Sequence, residues 1–217
     1  MDTRADMLSR IRSRLGRTRA NQAGASARVE AHLAARAPGP LPRPAADLVA
    51  SFRAKSEKLS STVADVARFT DVPEAVARYL ATTGLPRSAV CWPEISLLDW
   101  SSSGIRVEAR PARDDDLVGI TGCFCALAET GSLMLCSSPQ TPATPSLLPE
   151  THVAVVYASR IVAGMEEAWA LARAELGELP RAVNFVSGPS RTADIEQTIV
   201  LGAHGPYRVH LLIVGAQ

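Results

Sequence analysis

The sequence is short of aromatic residues and has almost no excess of charge. Aromatic residues make up 5% of its 217 positions, and the formal net charge is +1. No apolar run approaches the roughly 18 residues that a membrane helix needs, and the N-terminus has no apolar signal core. We therefore expect a cytoplasmic protein without a membrane span. Hydrophobic residues still make up 47% of the chain, enough to bury the core of one medium-sized globular domain.

The four cysteines show none of the spacings typical of a metal site. They include no CxxC pair, no zinc-like spacing with histidine and no ferredoxin-like run. This favours a reduced, intracellular protein. Cys123 and Cys125 would point the same way on a strand, where they bind a metal, form a redox pair or, as their small apolar neighbours favour, lie in the core. The other two cysteines are Cys91 and Cys136.

Charge is divided unevenly along the chain. Residues 1–36 hold eight arginines against three acidic residues, a net +5, which leaves −4 for the remainder. Leu8, Ile11 and Leu15 recur at helical steps and predict an amphipathic helix from about Thr3 to Arg17. This basic arm is the solvated face of a helix, a transit peptide, a nucleic-acid arm or a docking surface for an acidic partner. The arm lacks stacking aromatics and the rest of the chain is acidic, so we expect no nucleic-acid binding.

A second helical stretch covers about Ser26 to Arg36. Four prolines between Pro38 and Pro44 cannot continue a helix and predict a stiff linker. The sequence is therefore divided into a helical arm with its linker, residues 1–44, and a main domain, residues 45–217.

The main domain alternates short apolar strands with helices of about ten residues. This pattern predicts an α/β fold, a three-layer sandwich with a largely parallel sheet. The predicted strands are Ser61–Ala67, Ala89–Trp92, Ile105–Ala109, Ser132–Cys136, Val153–Tyr157, Val183–Val186 and Arg208–Val214. The predicted helices are Ala45–Leu59, Val72–Thr82, Met165–Leu176 and Thr192–Val200.

Ligands of such folds bind beyond the carboxyl ends of strands, so the loops are the candidate sites. In the loop after Val183–Val186, hydroxyl and glycine residues precede a predicted helix start that would hold a phosphate or carboxylate. Helix capping alone would explain the same residues, and Asp194 and Glu196 in the first turn would repel an anion. The candidate residues of this loop are Ser187, Gly188, Ser190 and Thr192.

Two further loops supply candidates for proton transfer. His204, between Gly202 and Gly205, is suited to proton transfer near neutral pH, although helix punctuation explains the glycines. Glu129 lies between two apolar runs, where we expect a desolvated carboxylate that acts as a base or nucleophile, or that only hydrogen-bonds to backbone. His152 starts an apolar strand and is a ligand contact or a core-edge residue, whereas His210 is structural. The remaining candidates for substrate or anion binding are Thr121, Thr130 and Gly131.

Five sequence segments occur in order in the main domain: Gly119–Gly122, Ala128–Leu133, Ser146–His152, Ser187–Glu196 and Gly202–Pro206. Together they resemble the lactate-utilisation (LUD) domain family, in particular its protein C subgroup. The resemblance covers about Leu48 to Val214. It implies the fold shared by CoA transferases and ribose-5-phosphate isomerase. It also implies a role in oxidising L-lactate to pyruvate together with iron–sulfur partner proteins.

Three functions follow from these observations. In the first, the chain is a subunit of a lactate-oxidising complex that has no cofactor of its own, binds a small carboxylate or docks its partners, and leaves the clusters to them. In the second, it is an enzyme of CoA-transferase or isomerase type acting on a small carboxylate, CoA ester or phosphosugar, with Glu129 as base or nucleophile and His204 as acid. The third is a small-molecule sensor. No GxGxxG motif follows a strand, which argues against nicotinamide binding.

Overall fold

The computed structural model describes residues 3–17, 19–37, 39–192 and 200–215. Backbone contacts divide the chain into two units, Met1–Pro42 and Arg43–Gln217. The first unit contains helices α1 (Thr3–Arg14) and α2 (Arg19–Ala35). The first predicted helix is thus confirmed, and the second begins earlier than expected. Helix α1 buries none of its residues, so its apolar side chains are exposed.

Local signals in the sequence fix the longer helices of the second unit. The Asp47 carboxylate accepts a hydrogen bond from the Ala50 N–H (2.9 Å) and caps the first of them. Gly84 ends the next in the left-handed conformation, at a φ of +68°. These helices are α3 (Leu48–Lys58), α4 (Val72–Thr83) and α7 (Met165–Leu176), and the single-turn helices between them are α5 (Pro93–Ser96) and α6 (Thr144–Leu147).

The strands of the described chain form two main sheets and a short pair. In chain order they are β1 (Thr62–Val66), β2 (Ser88–Cys91), β3 (Arg106–Ala109), β4 (Val118–Thr121), β5 (Cys125–Leu127), β6 (Ser132–Cys136), β7 (Thr151–Tyr157), β8 (Ile161–Val162), β9 (Val183–Val186), β10 (Arg191–Thr192), β11 (Val200–Leu201) and β12 (Arg208–Val214).

The larger sheet has six strands in the order β1-β12-β7-β4-β2-β3, and each neighbouring pair is parallel. Its central strands, β7 and β12, are almost continuous apolar runs, as expected for strands covered on both faces. Helices flank this sheet, and Phe52 of α3 and Leu80 of α4 are fully buried in its core cluster. The predicted α/β fold with a largely parallel sheet is confirmed.

The second sheet was not predicted as a separate layer. It has the order β8-β5-β6-β9, with β6 antiparallel to both of its neighbours. Cys125, Leu127 and Met134 of this sheet pack with Ala168 and Ala172 of α7 in a small core of their own. This sheet carries two of the candidate loops, the β5–β6 turn and the segment after β9.

Two expectations about local structure are wrong. The predicted helix bounds Thr192 and Val200 are wrong, because these two residues lie in β10 and β11 and pair antiparallel with each other. The rest of that predicted helix, including Asp194 and Glu196, lies outside the described residues. The expectation that Cys123 and Cys125 lie on one strand and point the same way is also wrong. The strand begins only at Cys125, and Cys123 before it packs against the other core cluster.

No helix in the described part of the chain is both long and apolar enough to cross a membrane.

Candidate functional site

A chain of three hydroxyl groups joins the β5–β6 turn to the segment after β9. The Thr130 hydroxyl donates to Ser132 Oγ (2.8 Å), and Ser132 Oγ lies 2.5 Å from Ser187 Oγ. Ser132 is buried, whereas Thr130 and Ser187 are exposed. Thr130 and Ser187, at the two ends of this hydrogen-bonded series, are therefore accessible to solvent and to a ligand.

Two glycines let this region pack directly against α3. A Cβ on Gly131 would lie 2.6 Å from the Ser56 backbone nitrogen, and one on Gly188 would lie 2.5 Å from the Leu59 carbonyl oxygen. Both glycines have a positive φ, +68° and +76°. The Ser56 hydroxyl also donates to the Gly131 carbonyl (3.2 Å). Both loops are thus held against one helix, and neither glycine leaves space for a side chain.

The segment after β9 also contacts the His204 loop. The Ser190 N–H donates to the Pro206 carbonyl (2.9 Å), and the His204 N–H lies 3.4 Å from Ser190 Oγ. A Cβ on Gly205 would lie 3.3 Å from the Ser190 Cβ. Residues 187–190 therefore touch both the Thr130 loop and the His204 loop. We call the surface formed by these three loops the loop surface.

Glu129 is exposed, so the expected desolvation of its carboxylate is wrong. The residue lies in the turn between two antiparallel strands and not inside an apolar run. Its N–H donates to the Ala163 carbonyl (3.0 Å). Its Oε2 lies 2.7 Å from the point that a Cβ on Gly164, the N-cap of α7, would occupy. A carboxylate in this position also complements the positive end of the α7 dipole.

Thr121 and His152 form a separate pair inside the parallel sheet and lie outside the loop surface. Both are fully buried, and Thr121 Oγ1 lies 2.8 Å from His152 Nε2. The Thr121 hydroxyl donates to the Gly122 carbonyl (2.7 Å), so the His152 Nε2–H donates to Thr121. His152 Nδ1 then has no partner among the residues described. Burial lowers the pKa of His152 to about 4, so the ring is neutral at physiological pH.

His210 is also buried, and it has two contacts typical of a structural residue. Its Nδ1 lies 2.7 Å from Thr62 Oγ1, and its ring stacks on Tyr79 at 3.9 Å between centroids. Burial lowers its pKa to about 4.

The cysteines do not fit an iron–sulfur cluster. All four are free thiols, and Cys91 and Cys125 are fully buried in different strands. Burial raises the pKa of Cys91 and of Cys125 to about 11, whereas a cluster needs thiolates. Within the described ranges, no three His, Cys, Asp or Glu side chains come together in a way that could hold a metal ion.

Sequence reasoning missed Ser132 and Ser56 as parts of this region. Ser132 begins β6 directly after the turn at Thr130 and Gly131, so the alternation of side chains along a strand does not predict its contact with Thr130. Ser56 lies 75 residues away in sequence from Gly131, and only the tertiary fold brings the two together.

The chain matches known proteins over most of its main domain. Residues 50–214 match the family model described as the LUD domain. Lactate utilization protein C of Shouchella clausii is 40% identical over 124 residues, which are 56% of this chain and 53% of that protein. The protein of the same name from Bacillus subtilis is 34% identical over 127 residues, 57% of this chain and 53% of that protein. The chain thus spans about half the length of these curated relatives.

A solved structure shares the fold. The crystal structure of a DUF162 family protein from Deinococcus radiodurans aligns with a TM-score of 0.61 and 24% sequence identity. The alignment covers 81% of this chain and all of that chain.

Proposed function

This chain belongs to the LUD domain family, and from that membership we propose that it acts in bacterial L-lactate utilisation. In this proposal it is a subunit that supports the oxidation of L-lactate to pyruvate together with iron–sulfur partner proteins. The observation that carries the proposal is the family match over residues 50–214, joined to the name shared by relatives at 33–40% identity.

The oxidation removes two electrons and two protons from lactate, so the complex needs both electron and proton acceptors. The proposal leaves electron transfer to clusters in the partner proteins. It assigns proton acceptance to this chain, with Glu129 and His204 as the groups that take up the two protons. Both side chains are exposed, and the loops that bear them both contact or neighbour residues 187–190.

The loop surface would bind the carboxylate of the substrate or a partner protein. Its hydroxyl and backbone N–H groups are donors of the kind that carboxylates accept. Thr121 and His152 are left out of this surface, because both are fully buried and bonded to each other. The proposed binding residues are Thr130, Gly131, Ser187, Gly188, Ser190, Thr192 and Gly205.

Growth on two carbon sources tests the proposal. A strain lacking the gene should grow on pyruvate but not on L-lactate, and the wild-type chain should restore growth on L-lactate. Glu129→Gln should lower lactate-oxidising activity in extracts by about 100-fold or more, the usual cost of losing a general base. Its melting temperature should stay near that of the wild type, because the carboxylate is exposed.

Glu166→Gln is the matched control. Like Glu129, Glu166 is an exposed carboxylate near the N-terminal end of α7, but it lies in the first turn of that helix. Equal loss of activity in both variants would assign the effect to the α7 dipole and remove Glu129 from proton transfer. Unimpaired growth of the deletion strain on L-lactate would refute the proposed pathway itself.

A further inference from the structure

The second unit has an open cleft of about 590 Å³ at the carboxyl ends of its parallel strands. Trp92 follows β2, Cys123 follows β4 and Tyr157 ends β7, and β4 lies between the other two strands in the sheet. This is the edge where α/β folds bind ligands, and the volume lies in the usual range for small-molecule sites. None of the residues proposed for the loop surface lines this cleft.

The one cation among the described residues that line the cleft is already paired. Both terminal nitrogens of the Arg160 guanidinium donate to Glu175 (2.6 and 2.9 Å). Its Nε donates to the Phe124 carbonyl (2.9 Å). The indole N–H of Trp92 donates to the Pro142 carbonyl (2.9 Å). A bound carboxylate or phosphate would therefore meet no unpaired positive charge in the described lining of the cleft.

The acceptors, in contrast, are free. Glu94 and Glu178 line the cleft, are exposed and take part in no ion pair within the described part of the chain. With Glu175 paired to Arg160, these two carboxylates give the lining a net charge of −2. Such a cleft repels anions, lactate and pyruvate included, and attracts cations.

Glu94 lines the cleft and lies against Gly122, directly after the end of β4. Its Oε1 is 2.7 Å from the point that a Cβ on Gly122 would occupy, so glycine leaves room for the carboxylate. The negative charge of Glu94 also affects the pKa values of Tyr157 and Cys123. Burial, and then the Glu94 charge, raise the pKa of Tyr157. Burial, with smaller contributions from the Cys125 thiol and Glu94, raises the pKa of Cys123. Both groups therefore stay neutral at physiological pH.

We propose that this cleft binds a small organic cation, a primary alkylammonium compound, with Glu94 as its counter-charge and the half-exposed Tyr157 ring beside it. The ring supplies a face of the kind that attracts ammonium groups. The ligand is distinct from lactate, so this site does not depend on the proposed pathway.

Calorimetry with 1,4-diaminobutane as the probe tests this inference on the full chain. The diamine should bind the wild type with a Kd below about 1 mM. The uncharged 1,4-butanediol, of equal length, should bind at least about tenfold more weakly, and L-lactate should not compete with the diamine. Glu94→Gln should weaken diamine binding by about fivefold or more and leave the melting temperature unchanged, because its side chain is exposed.

Glu57→Gln provides the control, as Glu57 is an exposed carboxylate of α3 that does not line the cleft. If the two variants weakened diamine binding equally, general charge attraction would explain the binding, and the proposed site at Glu94 would be refuted. Equal affinity for the diol and the diamine, or displacement of L-lactate by the diamine, would overturn the assignment of a cation. Growth on L-lactate provides a separate test of the pathway, so failure of one proposal is distinguishable from failure of the other.

Discussion

His152 is fully buried in the parallel sheet, and burial lowers its pKa to about 4. Its hydrogen bond with Thr121 uses only one ring nitrogen. In the unfolded chain the imidazole has its ordinary pKa near 6.5, so the unfolded state binds more protons between these two values. The stability that depends on a neutral His152 is therefore complete above about pH 6.5 and decreases as the pH falls toward 4.

His210 has a similarly lowered pKa, about 4, so it adds to the same effect. Between about pH 6 and 5, the free energy of unfolding should fall by about 1.2 kcal/mol per pH unit for each of the two histidines. Urea denaturation at several pH values measures this slope. His152→Gln should roughly halve the slope. A wild-type slope near zero in this window would contradict the neutral buried imidazoles.

At the residue scale, the sequence did not predict the surroundings of its candidate side chains. Glu129 lies between two apolar runs, which suggested burial. Those runs are β5 and β6, and Glu129 is exposed in the turn that joins them. No sequence pattern predicts that Arg160 pairs with Glu175 or that Glu94 lines a cleft. Both depend on contacts between elements that are distant in sequence.

At the element scale, α3 holds the candidate loops in place by contacts that only glycine permits. Gly131 and Gly84 have the same φ, +68°, but different surroundings. A Cβ on Gly131 would collide with the α3 backbone at Ser56 (2.6 Å), whereas a Cβ on Gly84 would meet nothing within 4 Å. The two positions therefore separate the cost of a left-handed backbone from the cost of a collision.

Gly84→Ala should lower the free energy of unfolding by about 1–2 kcal/mol, the cost of the left-handed conformation alone. Gly131→Ala should cost at least about 2 kcal/mol more, since backbone atoms of α3 must move. Urea denaturation of the two variants in parallel measures the difference. Equal costs would show that the Gly131 turn does not pack against α3 as described.

The longer elements were predictable because their signals are local. Apolar runs mark β7 and β12, and the predicted bounds of α7, Met165–Leu176, match the structure. The predicted helix bounds at Thr192 and Val200 show the limit of such signals. Serine, threonine and acidic residues suit a helix start, but pairing between β10 and β11 determines the structure at Thr192 and Val200. The single-turn helices α5 and α6 are too short to produce a helical period.

At the scale of the whole molecule, the order of five motifs along the chain carried the identification, and the family match over residues 50–214 confirms it. Convergence of the candidate residues was only partly predictable. Three loops meet around residues 187–190, but Thr121 and His152 lie inside the sheet. The sequence places all of these residues near strand ends, and only the strand order determines which ends become neighbours.

Our central proposal is that this chain acts with iron–sulfur partners in L-lactate oxidation. Affinity purification of the tagged full-length protein from its native host grown on L-lactate tests it most directly, with mass spectrometry and an absorption spectrum of the eluate. We predict that iron–sulfur proteins co-purify with a visible cluster absorption, which decreases when L-lactate is added under anaerobic conditions and the clusters are reduced. A colourless protein that elutes alone under gentle conditions, without lactate-oxidising activity, would contradict the account.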